Sequence, residues 1–199
     1  MTKLASVPRK PWIGAIALIF GLASCAAPIY DPQTHKNISD LQQLVDSKIA
    51  SLMSIDRRIN SLKIQNTPSA PSAPNVLTKE WPFECGGRPL SAASELDALT
   101  NEASFACNRA FYGTVNTDLN SAQMGVDSSP DFSTLKINDT FQKLRQILVE
   151  EPTSMEGVHA SQGLLGVTFL QSTRTQVNSL FAILLRYERT VEAGQSPSK

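Results

Sequence analysis

The sequence predicts an all-α protein: an N-terminal coiled-coil-like helix, a Pro-rich linker and a small C-terminal helical bundle. Three observations carry that prediction. A heptad run of apolar residues occupies 38–64. Apolar residues at three-four spacing recur through the C-terminal half, with Gly, Pro and capping residues between the runs. Nowhere is there a convincing alternation of the kind a strand needs.

The chain opens on a basic, then apolar leader. Met1 to Pro11 carries Lys3, Arg9 and Lys10 and no acid. Trp12 to Leu22 is apolar apart from small residues, and is too short for a spanning helix. Residues 1–24 therefore read as a secretory signal peptide. Residues 25–37 read as an extended tether, with Pro28 and Pro32 keeping it out of any helix. At ~3.3 Å per residue it would reach roughly 40 Å.

Residues 38–65 form the heptad helix. Its a positions are Ile38, Val45, Leu52 and Ile59, and its d positions Leu41, Lys48, Ile55 and Leu62. Only Lys48 breaks that apolar seam, and a polar seam residue can set register at a cost in stability. Leu44 and Ile49 widen the face, which favours three strands over two. The expectation is a homo-oligomer through 38–65. The alternative is one amphipathic helix packed on its own C-terminal domain.

Residues 66–75, Asn-Thr-Pro-Ser-Ala-Pro-Ser-Ala-Pro-Asn, cannot continue a helix and read as a stiff spacer of about 30 Å. Residues 76–193 are expected to form the helical domain, and 194–199 a disordered tail. Within that domain Leu96, Leu99, Ala103, Ala106 and Ala110 make one apolar face. Residues 124–136 read as a loop. A short helix follows with a face of Phe141, Leu144, Ile147 and Leu148, ended by Pro152. Thr153-Ser154-Met155-Glu156 fits a capping box. It opens a long helix towards Ala193, in which Gly163 and Gly166 mark a close crossing or a break.

Three cysteines are present: Cys25, Cys85 and Cys107. Leu22-Ala23-Ser24-Cys25, directly after the leader, resembles the lipobox of bacterial lipoproteins. The resemblance implies cleavage before Cys25, a thioether-linked diacylglycerol and an acylated amine, palmitate being the usual acid. Ala26 in the next position favours the Gram-negative outer membrane, with the chain on its periplasmic face. Several acyl chains, at ~0.8 kcal/mol per buried CH₂, anchor stably where one would not. If Cys25 is acylated, Cys85 and Cys107 remain as a pair in an oxidising compartment and are expected to form a disulfide. The alternative is two buried thiols. No Cys-x-x-Cys spacing points to a metal site.

The order of lipid, tether and heptad helix also resembles the major murein lipoprotein family, in the stalk alone. That resemblance implies attachment of a C-terminal lysine to peptidoglycan, and this chain ends in Lys199. It departs from the family in its linker and added domain. Ser196-Pro197-Ser198 also stands where the enterobacterial form has Tyr-Arg before the lysine. A peptidoglycan link through Lys199 is therefore not expected.

The leader removes three bases and no acid. Fifteen bases then face 18 acids, and the net charge becomes −3. With no basic run, nucleic acid is not an expected partner. The two histidines are His35, in the tether, and His159. Nucleophile-elbow, His-Glu-x-x-His and phosphate-loop motifs are absent from the sequence. The chain thus reads as non-catalytic, with no catalytic residues, metal or cofactor. Its expected role is a scaffold or accessory subunit of an envelope assembly, such as a secretion or conjugation system. The alternatives are a phage or plasmid accessory lipoprotein (an outer spanin or entry-exclusion protein) and a small-ligand carrier or enzyme.

Overall fold

A computed structural model describes residues 31–65, 85, 95–127 and 134–195. The leader, Cys25, the spacer 66–75 and Lys199 lie outside the described residues. Helices α1 (Pro32–Gln65), α2 (Glu95–Glu102), α3 (Phe105–Asp127), α4 (Thr134–Arg145), α5 (Met155–Gln162) and α6 (Val167–Gln195) follow one another, and α4 runs on into a π-helical turn, Gln146–Glu150. All regular structure among the described residues is helical, as the apolar spacing predicts.

The four long helices pack in a ring: α1 against α3, α3 against α4, α4 against α6, and α6 back against α1. Neighbours run antiparallel. Gly125 near the end of α3 lies so close to Thr34 at the start of α1 that any Cβ would overlap the threonine side chain. Gln123 of α3 meets Asn138 of α4. Asp46 and Asp56 of α1 meet Arg174 and Val167 of α6 in reverse order. The result is an up-down-up-down four-helix bundle, with α2 and α5 at the end where α1 finishes.

The first helix departs from the expected stalk. Ile38, Leu41, Val45, Leu52, Ile55 and Ile59 are buried in the core of their own chain, as is Ile49 beside them. Lys48 and Leu62 sit half-buried at its margin. Residues 38–65 thus pack within their own chain, the alternative arrangement that the heptad leaves open. The physical reason is that antiparallel bundles and coiled coils share knobs-into-holes packing near 20°, so both select the same heptad. Lys48 is accommodated because its ammonium donates to Asn108 Oδ1 at 3.0 Å and lies over the Phe111 ring.

The helix also starts earlier than expected, taking in residues 32–37. Helix α1 begins at Pro32, with Asp31 as its cap: the carboxylate accepts from the amides of Gln33 and Thr34 and from the Thr34 hydroxyl. Proline suits the first helical position, where its missing N–H is not needed.

Other boundaries move as well. Helix α3 continues to Asp127, into the expected loop, and α4 starts at Thr134. Ala106 and Ala110 face solvent; the buried face of α3 is Asn108, Phe111, Tyr112, Val115, Leu119, Ala122 and Val126. The expected long C-terminal helix is two. Ser154 caps α5 by accepting from the Gly157 amide, one position later than the predicted box, and Gly163 ends α5 at φ 76°. Helix α6 runs through Gly194 to Gln195.

Candidate functional site

Two places concentrate polar chemistry: a buried histidine between α3 and α5, and an open cleft between the π-turn and α6.

His159 is fully buried. Its Nε2 lies 2.8 Å from the Ala103 carbonyl, which can only accept, so Nε2 carries the proton. Nδ1 is then the acceptor, and the Tyr112 hydroxyl donates to it at 2.8 Å. The Phe105 and Tyr112 rings meet the imidazole edge-on. Burial, above all, holds the imidazole below its ordinary pKa of 6.5. Burial likewise pushes the Tyr112 phenol well up, with the Glu156 carboxylate adding to it. Both ring nitrogens are spent inside the protein, so this imidazole links α3, α5 and the end of α2 as a neutral group.

The cleft has a volume of about 410 Å³ and is open to solvent. Gln146 and Ile147 line it from the π-turn, Glu151 and Thr153 from the segment that follows, and Phe169 and Gln176 from α6. It exists because the π-turn and then Pro152 stop α4 while α6 runs on beside it. Its lining offers amides, hydroxyls and one carboxylate around two apolar side chains, with no basic group. Such a surface suits a neutral polar or weakly basic partner. His159 does not line it.

The structure separates the residues singled out in the sequence. Cys85 and Cys107 are joined, with Cα atoms 5.1 Å apart, as expected. The heptad residues form the α1 side of the core. His35 lies in the first turns of α1, not in a tether. Cys25 and Lys199 fall outside the described residues. Among the described residues no cluster of three His, Cys, Asp or Glu could hold a metal ion, and no helix is long and apolar enough to cross a membrane.

Sequence reasoning missed three features. The π-turn has no signature separating it from the α-helix it extends. Glu188, buried on α6, carries a carboxyl pushed up to about 7, by burial first and by Asp31 second. The third is a clasp in which Arg174 donates two bonds to Asp46, at 2.6 and 2.8 Å, while Asn178 donates a third. Asp46 and Arg174 are 128 residues apart, and no local pattern announces such a pair. No family model, no curated protein and no solved structure matches this chain.

Proposed function

We propose that this chain is a non-catalytic, lipid-anchored envelope protein whose four-helix bundle serves as a protein-interaction module in the periplasm. Its role would be that of a scaffold or accessory subunit of an envelope assembly, such as a secretion or conjugation system. The observation that carries the reading is the pairing of two cysteine facts. Cys25 closes the leader in Leu22-Ala23-Ser24-Cys25, and the two remaining cysteines are bonded to each other. A structural disulfide belongs to an oxidising compartment, which is where such a leader would deliver the chain.

The histidine supports the non-catalytic part. A general base must present a free lone pair within ~3 Å of a substrate proton, and His159 presents its lone pair to Tyr112 instead. The amides and hydroxyls of the cleft are suited to hydrogen-bond a polypeptide partner.

Metabolic labelling with a palmitate analogue tests the anchor. The wild-type chain is expected to take the label and sediment with membranes, and Cys25→Ser to lose both. A Cys25→Ser chain that keeps its label and stays on membranes refutes the reading. A photo-crosslinker at Gln176 in cells tests the module: a discrete adduct with one envelope polypeptide is expected, and none from an exposed control position such as Asn116.

A further inference from the structure

Because α1 belongs to the bundle, the distance between anchor and fold is set by six residues rather than by a stalk. We infer that one particular end of the bundle is seated at the lipid surface: the end built from the start of α1, the end of α3, the start of α4 and the end of α6. This rests on acylation of Cys25 as proposed above.

From Cys25 to Asp31, where α1 is capped, the chain spans six residues. Fully extended they reach about 20 Å. Asp31 therefore stays within about 20 Å of the acylated sulfur, whatever path those residues take. The 34 residues of α1 carry the fold roughly 50 Å further along its axis. The antiparallel order fixes what else lies at the near end. Gly125 of α3 abuts Thr34, Asn138 of α4 meets Gln123 of α3, and Glu188 of α6 feels the charge of Asp31.

The surface chemistry points the same way. Among the described residues the exposed large apolar side chains are Ile64, Met124 and Ile183. Met124 is the neighbour of Gly125, at the level of Thr34. Ile183 falls between Asn178, at the level of Asp46, and Glu188, at the level of Asp31. Two of the three thus lie in the half nearer the lipid. Among the described residues, the α1–α6 side carries the polar Asp46–Arg174–Asn178 clasp, and the α4–α6 side the amide-lined cleft. An end-tethered bundle then holds α2, α5 and the disulfide at its far end.

The test uses the full-length acylated protein in vesicles of phosphatidylethanolamine and phosphatidylglycerol that contain a headgroup-spin-labelled lipid. A fluorophore is placed on Lys136→Cys at the near end or on Ser161→Cys at the far end, both exposed positions. Quenching about fivefold stronger at 136 than at 161 is expected, because 161 lies near Gly163 at the start of α3 and 136 near Gln123 at its end, a separation of roughly 27 Å along the axis. Inserting twenty Gly/Ser residues between Tyr30 and Asp31 should abolish that difference. Equal quenching at both sites in a chain that floats with the vesicles overturns the seating and leaves the anchor standing. Strong quenching at 136 that survives the insertion overturns tether length as its cause. A chain that takes no acyl label and does not float overturns both.

Discussion

The Tyr112 hydroxyl donates to His159 Nδ1 at 2.8 Å, in a site where the imidazole has no contact with solvent. The tyrosine oxygen also lies 3.4 Å from the Met155 carbonyl, too long to compete for its one proton. Each partner therefore depends on the other to satisfy a buried polar atom. Tyr112→Phe strands Nδ1 and should cost about 1–3 kcal/mol. His159→Ala strands the hydroxyl and the Ala103 carbonyl and opens a cavity, for about 3–5 kcal/mol. In a double-mutant cycle by urea unfolding, the two should be coupled by about 1 kcal/mol or more. Additive effects would show that the bond is not maintained.

Two buried groups give stability opposite pH slopes. His159 has its pKa lowered in the fold, so the unfolded chain binds the proton more readily. Its contribution is present above pH 6.5 and lost as pH falls below it. Glu188 is raised, from 4.5 to about 7. Its contribution is complete below pH 4.5 and lost as pH rises through 7. Glu188→Gln should therefore stabilise the protein by ~1–3 kcal/mol at pH 8, and by almost nothing at pH 4.5. The charge of Asp31, at the cap of α1, acts on it, and Tyr187 stands next to it on α6 with its phenol pushed up by burial first and by Glu188 second. Thermal melts between pH 4.5 and 8 read the effect. A gain independent of pH would place the carboxylate in solvent.

The helical class, the start of a helix near Thr153–Ser154 (to within one residue) and the disulfide partners were legible because each depends on residues close in sequence or on a simple count. Ser154, Pro152 and the Phe141–Leu148 face are local facts. The placement of α1 was not legible, because Val45 and Leu52 at heptad spacing satisfy an antiparallel bundle as well as a parallel coil. The Pro-Ser-Ala spacer deepened the ambiguity. A stiff connector suggests separation of the helix before it from the domain after it. The α3 face was misread because three small alanines fitted the period. Phe111, Tyr112 and Val115 fit it one register over and bury far more apolar surface. His159 and Glu188 look like surface residues until the fold closes over them.

Three glycines should respond differently to alanine. Gly113 lies inside α3 with open space around its Cβ position, so Gly113→Ala should stabilise by ~0.5–1 kcal/mol. At Gly157 a Cβ would stand 2.6 Å from the carbonyl oxygens of both Glu151 and Pro152, which are backbone and cannot turn aside. Gly157→Ala should cost roughly 1–3 kcal/mol. Gly163 sits at φ 76°, and alanine there should cost ~1–2 kcal/mol. A denaturant midpoint that does not fall for Gly157→Ala or Gly163→Ala contradicts the path of the chain around α5.

Reducing the Cys85–Cys107 bond releases a loop of 22 residues' separation. The chain-entropy model gives about 3 kcal/mol for a loop of that size. The bundle core lies mostly outside the loop, so the reduced protein should still fold, with a lower urea midpoint. Mobility on a non-reducing gel should shift on reduction. A Cys85→Ser/Cys107→Ser chain as stable as wild type would mean the bond constrains nothing the fold has not already ordered.

The sharpest test of the architecture concerns α1. It buries eight apolar side chains, Ile38, Leu41, Val45, Ile49, Leu52, Met53, Ile55 and Ile59. At ~1.5–3 kcal/mol each, their gross burial of about 12–24 kcal/mol is as large as or larger than the ~5–15 kcal/mol of net stability a domain usually has. A chain beginning at residue 66 should therefore lose its cooperative unfolding transition and bind hydrophobic dyes. A peptide of residues 31–65 should be largely unstructured alone, because its apolar face is shaped for α3 and α6. Mixed together, the two pieces should recover helicity and a cooperative melt. A free stalk predicts the reverse: residues 66–199 folded without α1, and the peptide self-associating in the ultracentrifuge. Val45→Asp separates the two pictures in the intact chain. Inside the bundle it places an unpaired charge in the core and unfolds the protein, whereas on a stalk it would only dissociate the oligomer and leave the rest of the fold intact.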